Sequence, residues 1–169
     1  LVGGDTVKGP LVVTSQLHGL VPQGRALRRS GASPGDGIYV TGTLGDAGMG
    51  LKLRQGTAEA AEAERRYLCE RLDYPAPRVS VGQELRDIAS AAIDISDGLL
   101  ADLGHILKRS GVGASLDVDQ LPISDALRCV ADEEGATELA LSAGDDYELC
   151  FTVPAGETDQ LAELPFSVT

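Results

Sequence analysis

The alternation of apolar and polar residues is clearest near the middle of the chain, where residues 91–95 read Ala-Ala-Ile-Asp-Ile. Side chains alternate across a strand, so Ile93 and Ile95 are expected to face a core, with Asp94 and Ser96 on the other side. At Leu99 the period changes. Leu99, Leu100, Leu103, Ile106 and Leu107 share one stripe at helical spacing, and Gly111 suits the left-handed position that closes a helix. The junction between strand and helix is thus lined by Asp94, Ser96 and Asp97, with Gly98 leaving the backbone open to a ligand's close approach.

The same reading extends along the chain. Residues 11–20 alternate as a strand with one face more buried, and residues 38–42 form a second short strand. The glycine-rich residues 43–50 match neither the phosphate-binding loop nor the dinucleotide fingerprint. They read as a tight turn into a helix at 46–54, packed close to the sheet. A charged helix follows at 57–72, capped by Thr57, and Pro75 and Pro77 break the chain before a helix at 81–90. Beyond the central strand and helix come a strand at 114–118, helices at 124–130 and 133–141, a strand at 147–153 and a helical tail at 157–164. In that last strand Glu148 reads as an exposed acid. Five or so strands among helices predict an α+β fold, layered α/β/α, with helices on the faces of a mixed sheet.

Charge narrows the partners. Fourteen basic against twenty-six acidic residues give a net charge of −12, which argues against nucleic acid and against an anionic membrane surface. No apolar run has membrane-spanning length. Cys69, Cys129 and Cys150 are odd in number and widely spaced, which reads as reduced thiols in a cytoplasmic protein. Both ends look cut, so the expectation is a piece of a longer polypeptide.

Three acid-bearing turns remain as candidate chemistry: Gly3-Gly4-Asp5-Thr6, Asp94-Ile95-Ser96-Asp97-Gly98 and Gly144-Asp145-Asp146-Tyr147-Glu148-Leu149. Carboxylates beside a helix N-terminus suit a hard divalent cation and a phosphate. The plainer alternative makes Ser96 or Asp97 a helix cap, Asp94 a solvated strand end and Asp5 a turn residue. Arg25, Arg28 and Arg29 form a cationic cluster that suits phosphate oxygens or, equally, a solvated patch.

Taken in order, these turns, together with Gly24-Arg25-Ala26-Leu27 to Ser30-Gly31 and Gly35-Asp36 to Val40-Thr41-Gly42, resemble the thiamine-monophosphate kinases of the aminoimidazole-ribonucleotide synthetase-like superfamily. The resemblance implies ATP- and Mg²⁺-dependent phosphorylation of thiamine monophosphate to thiamine diphosphate by a homodimeric parent protein. It implies Asp5, Asp94 and Asp97 as metal ligands, Gly4, Asp5, Arg29 and Ser96 at the nucleotide, and Asp145 at the thiamine substrate. Family members more often carry Glu at that last position. The resemblance assigns no catalytic nucleophile. It also implies a division into residues 1–22, the last strand region of an N-terminal domain, and residues 23–169, most of a C-terminal α/β domain. The upstream half with its further metal-binding aspartates, and a downstream aromatic at the thiamine ring, find no match here. Two other readings stay open: another ATP-using member of the superfamily, or a folded module without catalysis of its own.

Overall fold

A computed structural model describes residues 9–164, 166, 168 and 169. Its elements run β1 (Gly37–Val40), α1 (Asp46–Gln55), α2 (Glu62–Asp73), α3 (Val79–Glu84), β2 (Ala91–Ile95), α4 (Leu99–Ser110), α5 (Asp125–Val130), α6 (Glu133–Ser142) and β3 (Glu148–Val153). Single-turn 3₁₀ segments occur at Leu85–Asp87 and Val118–Gln120, and a longer one at Thr158–Glu163. The α+β class holds. Among the described residues the sheet has three strands in the order β1-β3-β2. Both pairings are antiparallel, in place of the expected mixed sheet. The last of these strands in sequence runs between the other two, which makes it the centre of the sheet.

The core explains that placement. On one face of the sheet Ile93, Ile95 and Cys150 pack against Leu99, Leu103 and Ile106 of α4. On the other, Phe151 and Val153 meet Val81, Leu85 and Leu161. A third cluster joins α1, α2, α5 and α6 through Met49, Leu53, Leu68, Leu127 and Leu139. The glycines of residues 43–50 serve this helical layer. A Cβ on Gly50 would lie 2.3 Å from the Leu68 carbonyl oxygen, and one on Gly48 would lie 2.5 Å from the Ala143 Cβ. Only hydrogen at these positions lets α1 approach α2 and α6 so closely.

Several expected elements fall elsewhere. Residues 11–20 have no regular structure and are exposed, with Leu11 at 95% and Leu20 at 104%, because no described strand pairs with them. Residues 114–117 have no regular structure in place of the expected strand, and Val118 begins a 3₁₀ turn. Thr57 does not cap α2, which starts at Glu62 with Ala61 at its N-cap. Instead its N–H and hydroxyl both donate to the Lys52 carbonyl, closing the end of α1. The helix expected at 81–90 is α3 followed by the Leu85–Asp87 turn. The central strand and α4 lie where periodicity puts them, with Gly111 left-handed at the helix end.

Candidate functional site

The site grows from the end of β2. Alternation buries Ile93 and Ile95 and leaves Asp94 exposed, and the turn that follows holds Ser96 half-buried and Asp97 exposed. Neither Ser96 nor Asp97 caps α4; its N-cap is Gly98, which has no side chain to offer. The turn is held from within the helix. Asp102 is buried, and one of its carboxylate oxygens accepts the N–H groups of both Ser96 and Asp97 at 2.9 Å. Gly98 is required by packing: a Cβ there would stand 2.7 Å from the Ser142 carbonyl oxygen. The close approach at Gly98 is therefore to the end of α6.

That packing brings the third acidic turn alongside the second. The Asp145 N–H donates to the Ser96 carbonyl at 3.0 Å, and the Tyr147 N–H to the Ile95 carbonyl at 2.9 Å. Asp145 (φ 68°) and Tyr147 (φ 50°) both hold left-handed backbone without being glycine. Such conformations cost on the order of 1–3 kcal/mol each and persist where surrounding contacts enforce them. The negative charge of Asp145, followed by burial, holds the Tyr147 phenol above the usual tyrosine range, and Asp94 and Asp97 push in the same direction. Asp94, Asp97 and Asp145 thus act on one ring.

Residues 145–148 split by parity. Asp145 and Tyr147 face the β2 turn, while Asp146 and Glu148 are each 1% exposed. Asp146 accepts the Gly45 N–H at 2.7 Å and the Ala47 N–H at 3.2 Å, which fastens the start of α1. Burial pushes its carboxyl up to about 6, against the pull of those two N–H groups. Glu148 takes four donors: the Thr41 hydroxyl at 2.5 Å, Arg71 Nη2 at 3.0 Å, and Arg78 Nε and Nη2 at 2.6 Å each. The expectation of an exposed Glu148 is therefore corrected. Its strand is covered on both faces, and the charge is matched by arginines from α2 and from the residue before α3. Asp46 belongs to the same interior, bonded to Thr43, Ser124 and Tyr67.

The structure places Asp94, Ser96, Asp97 and Asp145 together at this end of the sheet. Arg29 stands apart from them. The carbonyl of its neighbour Arg28 accepts the Ala92 N–H, beside the start of β2, whereas Asp97 follows the end of that strand. Gly4 and Asp5 lie outside the described residues. Arg25 pairs with Asp87 on the surface. Asp94 and Asp97 enter no ion pair among the described residues, which leaves hard oxygen donors free. Among the described residues, no group of three His, Cys, Asp or Glu side chains could hold a metal ion unaided.

Residues 33–165 match the family model described as AIR synthase related protein, C-terminal domain. The chain belongs to that family. Within it, the chain is 58% identical over 155 residues to the thiamine-monophosphate kinase of Salmonella typhimurium strain LT2, covering 91% of this chain and 48% of the relative. The crystal structure of thiamine-monophosphate kinase from Stenotrophomonas maltophilia K279a superposes with a TM-score of 0.82 at 48% identity, over 88% of this chain and 50% of that one. AaThiL complexed with AMPPCP and TMP superposes at 0.71 and 38% identity, over 78% and 43% respectively. This AIR synthase related chain spans about half the length of the curated relatives it matches.

Sequence reading alone missed Asp102, Asp46, Tyr147 and the inward role of Glu148. Asp102 carried a usable signal, an acid within the first turn of an apolar helix, where the N–H groups just upstream need an acceptor. Cys150 is a buried thiol of this AIR synthase related core, pushed up to about 12 by burial with the charge of Asp102 adding to it, consistent with an inert reduced cysteine.

Proposed function

We propose that the protein carrying this chain transfers the γ-phosphoryl group of ATP to the phosphate of thiamine monophosphate, giving ADP and thiamine diphosphate. The observation that carries the reading is the juxtaposition of the Asp94-Ser96-Asp97 turn with the Asp145–Tyr147 turn. Exposed carboxylates suited to a cation lie beside a second exposed acid, Asp145, and this neighbourhood supports the reading. The likeness to a thiamine-monophosphate kinase over nearly this whole chain supports the same reading. Asp94 and Asp97 would hold Mg²⁺, with Asp5 of the Gly3-Gly4-Asp5-Thr6 stretch. Their donor chemistry fits, since exposed carboxylate oxygens without ion-pair partners suit a hard cation. Bound there, Mg²⁺ supplies neutralisation of triphosphate charge.

The rest of the assignment follows the chemistry of two anionic reactants. Transfer between phosphates needs alignment and charge neutralisation more than a protein nucleophile. Ser96 and Gly4 serve the nucleotide and Asp145 the acceptor. Arg29, beside the opposite end of β2 in this structure, keeps its nucleotide assignment from the family resemblance alone. The parent protein is proposed as a cytoplasmic homodimer, with residues 1–22 belonging to a preceding domain and residues 23–169 to the C-terminal one. The 169-residue chain alone is proposed to be inert.

Substrate choice tests the reading. The protein at the length of its relatives, supplied with ATP and Mg²⁺, is expected to phosphorylate thiamine monophosphate in preference to free thiamine or aminoimidazole precursors. Preference for either of the latter would assign it to another branch of the superfamily. Turnover by the 169 residues alone, free of host enzyme, would overturn the claim that they are inert.

A further inference from the structure

Tyr147 stands out from its surroundings. It is 44% exposed, while the residues on either side of it, Asp146 and Glu148, are each 1% exposed. Those two buried anchors and the Tyr147 N–H bond to Ile95 prevent the ring from turning inward without breaking the strand register. A bulky side chain at φ 50° is a true outlier, and here the neighbouring Asp145 shares the conformation. The pair leaves an aromatic ring and a carboxylate standing on the Ser96 side of the β2 turn. Nothing in the hydrophobic core requires an aromatic residue at this place.

We propose that Tyr147 forms the aromatic wall of the acceptor side of this site, where its ring face and the Asp145 carboxylate together select a cationic heteroaromatic ring. The inference rests on the reading of the protein as a thiamine-monophosphate kinase, because a thiazolium ring carries a fixed positive charge. An aromatic face attracts such a cation through its quadrupole, and nearby carboxylates strengthen the attraction. A neutral ring of the same shape gains the contact area alone. Tyr147 is thus a specificity-determining residue that discriminates by charge, and the phosphoryl chemistry is left to the groups around Asp94 and Asp97.

Two small probes separate charge from shape: 4-methyl-5-(2-phosphooxyethyl)thiazole, with a neutral ring, and its N-methyl thiazolium counterpart. Their equilibrium binding to the protein at the length of its relatives can be measured by calorimetry. The unaltered protein is expected to favour the thiazolium by about tenfold, the size of a desolvated cation–aromatic contact. Tyr147→Phe keeps the ring face and should keep the preference. Tyr147→Leu should reduce it to about twofold, leaving the neutral probe's affinity little changed. Tyr147→Gly, which adopts this backbone without strain, should weaken both probes through lost contact area, yet reduce the preference to about twofold as the leucine variant does, and it guards against misfolding of the latter. A preference that survives in both non-aromatic variants, or is absent from the unaltered protein, overturns the proposal. Failure of the unaltered protein to phosphorylate thiamine monophosphate overturns the kinase reading instead, and is measured separately.

Discussion

Two sets of acids near one end of the sheet, where Ile95 pairs with Glu148, live in opposite conditions. Asp94 and Asp97, at the end of β2, are exposed and enter no ion pair among the described residues. Asp146 and Glu148 at the start of β3, and Asp46 at the start of α1, are buried and engaged by hydroxyls, arginines and N–H groups at the start of α1. The residue type is the same; the partners decide the role. Engaged carboxylates fix where chain segments go, and free ones remain available to something outside the fold. A cation or substrate site needs both, since the free set is held in place by the engaged set.

The sharpest way to break this contrast is at Glu148. Replacing it by alanine strands Arg71 and Arg78 beside a vacated buried site, and should cost about 3–5 kcal/mol in chemical denaturation. A loss under 1 kcal/mol would mean the network is ornamental. Next is Asp102→Ala, which leaves two N–H groups of the β2 turn without their acceptor. A loss of about 2 kcal/mol is expected, together with faster amide exchange at Ser96 and Asp97. Unchanged exchange at those two amides would show that the turn is held by other means.

Acidity sharpens the contrast further. Burial raises the Asp146 carboxyl from the ordinary aspartate range to about 6, so between the two the folded state keeps a proton that the unfolded chain has already lost. Its stabilising share is therefore complete below about 4 and fades as pH rises to about 6. The stability of the unaltered chain relative to Asp146→Asn should fall across that interval and stay level above it. A flat difference would place the carboxyl at its ordinary value. Asp145→Gly should raise stability by about 1 kcal/mol by relieving left-handed strain, while weakening any acceptor contact. Smallest of all, Asp97→Asn should change stability by less than about 0.5 kcal/mol, because nothing in the fold depends on its charge.

The parts of the fold legible in the sequence are those whose partners lie nearby. Ile93, Asp94 and Ile95 alternate because β2 is buried on one side of that stretch, and α4 shows its stripe because one face meets the sheet. Glu148 was misread because β3 is covered on both faces, so alternation carries no information there. Its arginines come from 70 and 77 residues away. Residues 11–20 have the composition of a strand, yet a strand exists only through pairing, and pairing is not written in one segment. The two acidic segments that lie among the described residues were legible as irregular stretches at strand ends. Which of their carboxylates face outward depends on Gly98 closing onto Ser142, a contact that local periodicity cannot show.

The claim that the exposed pair serves a cation is tested most directly by counting bound Mn²⁺, a paramagnetic stand-in for Mg²⁺, in the protein at the length of its relatives with a non-hydrolysable ATP analogue. Electron paramagnetic resonance should report fewer tightly bound ions in Asp97→Asn, fewer still when Asp94→Asn is added, and an unchanged number in Asp146→Asn. An unaltered count in the double variant, with ions lost only when the buried acid is replaced, would contradict the account.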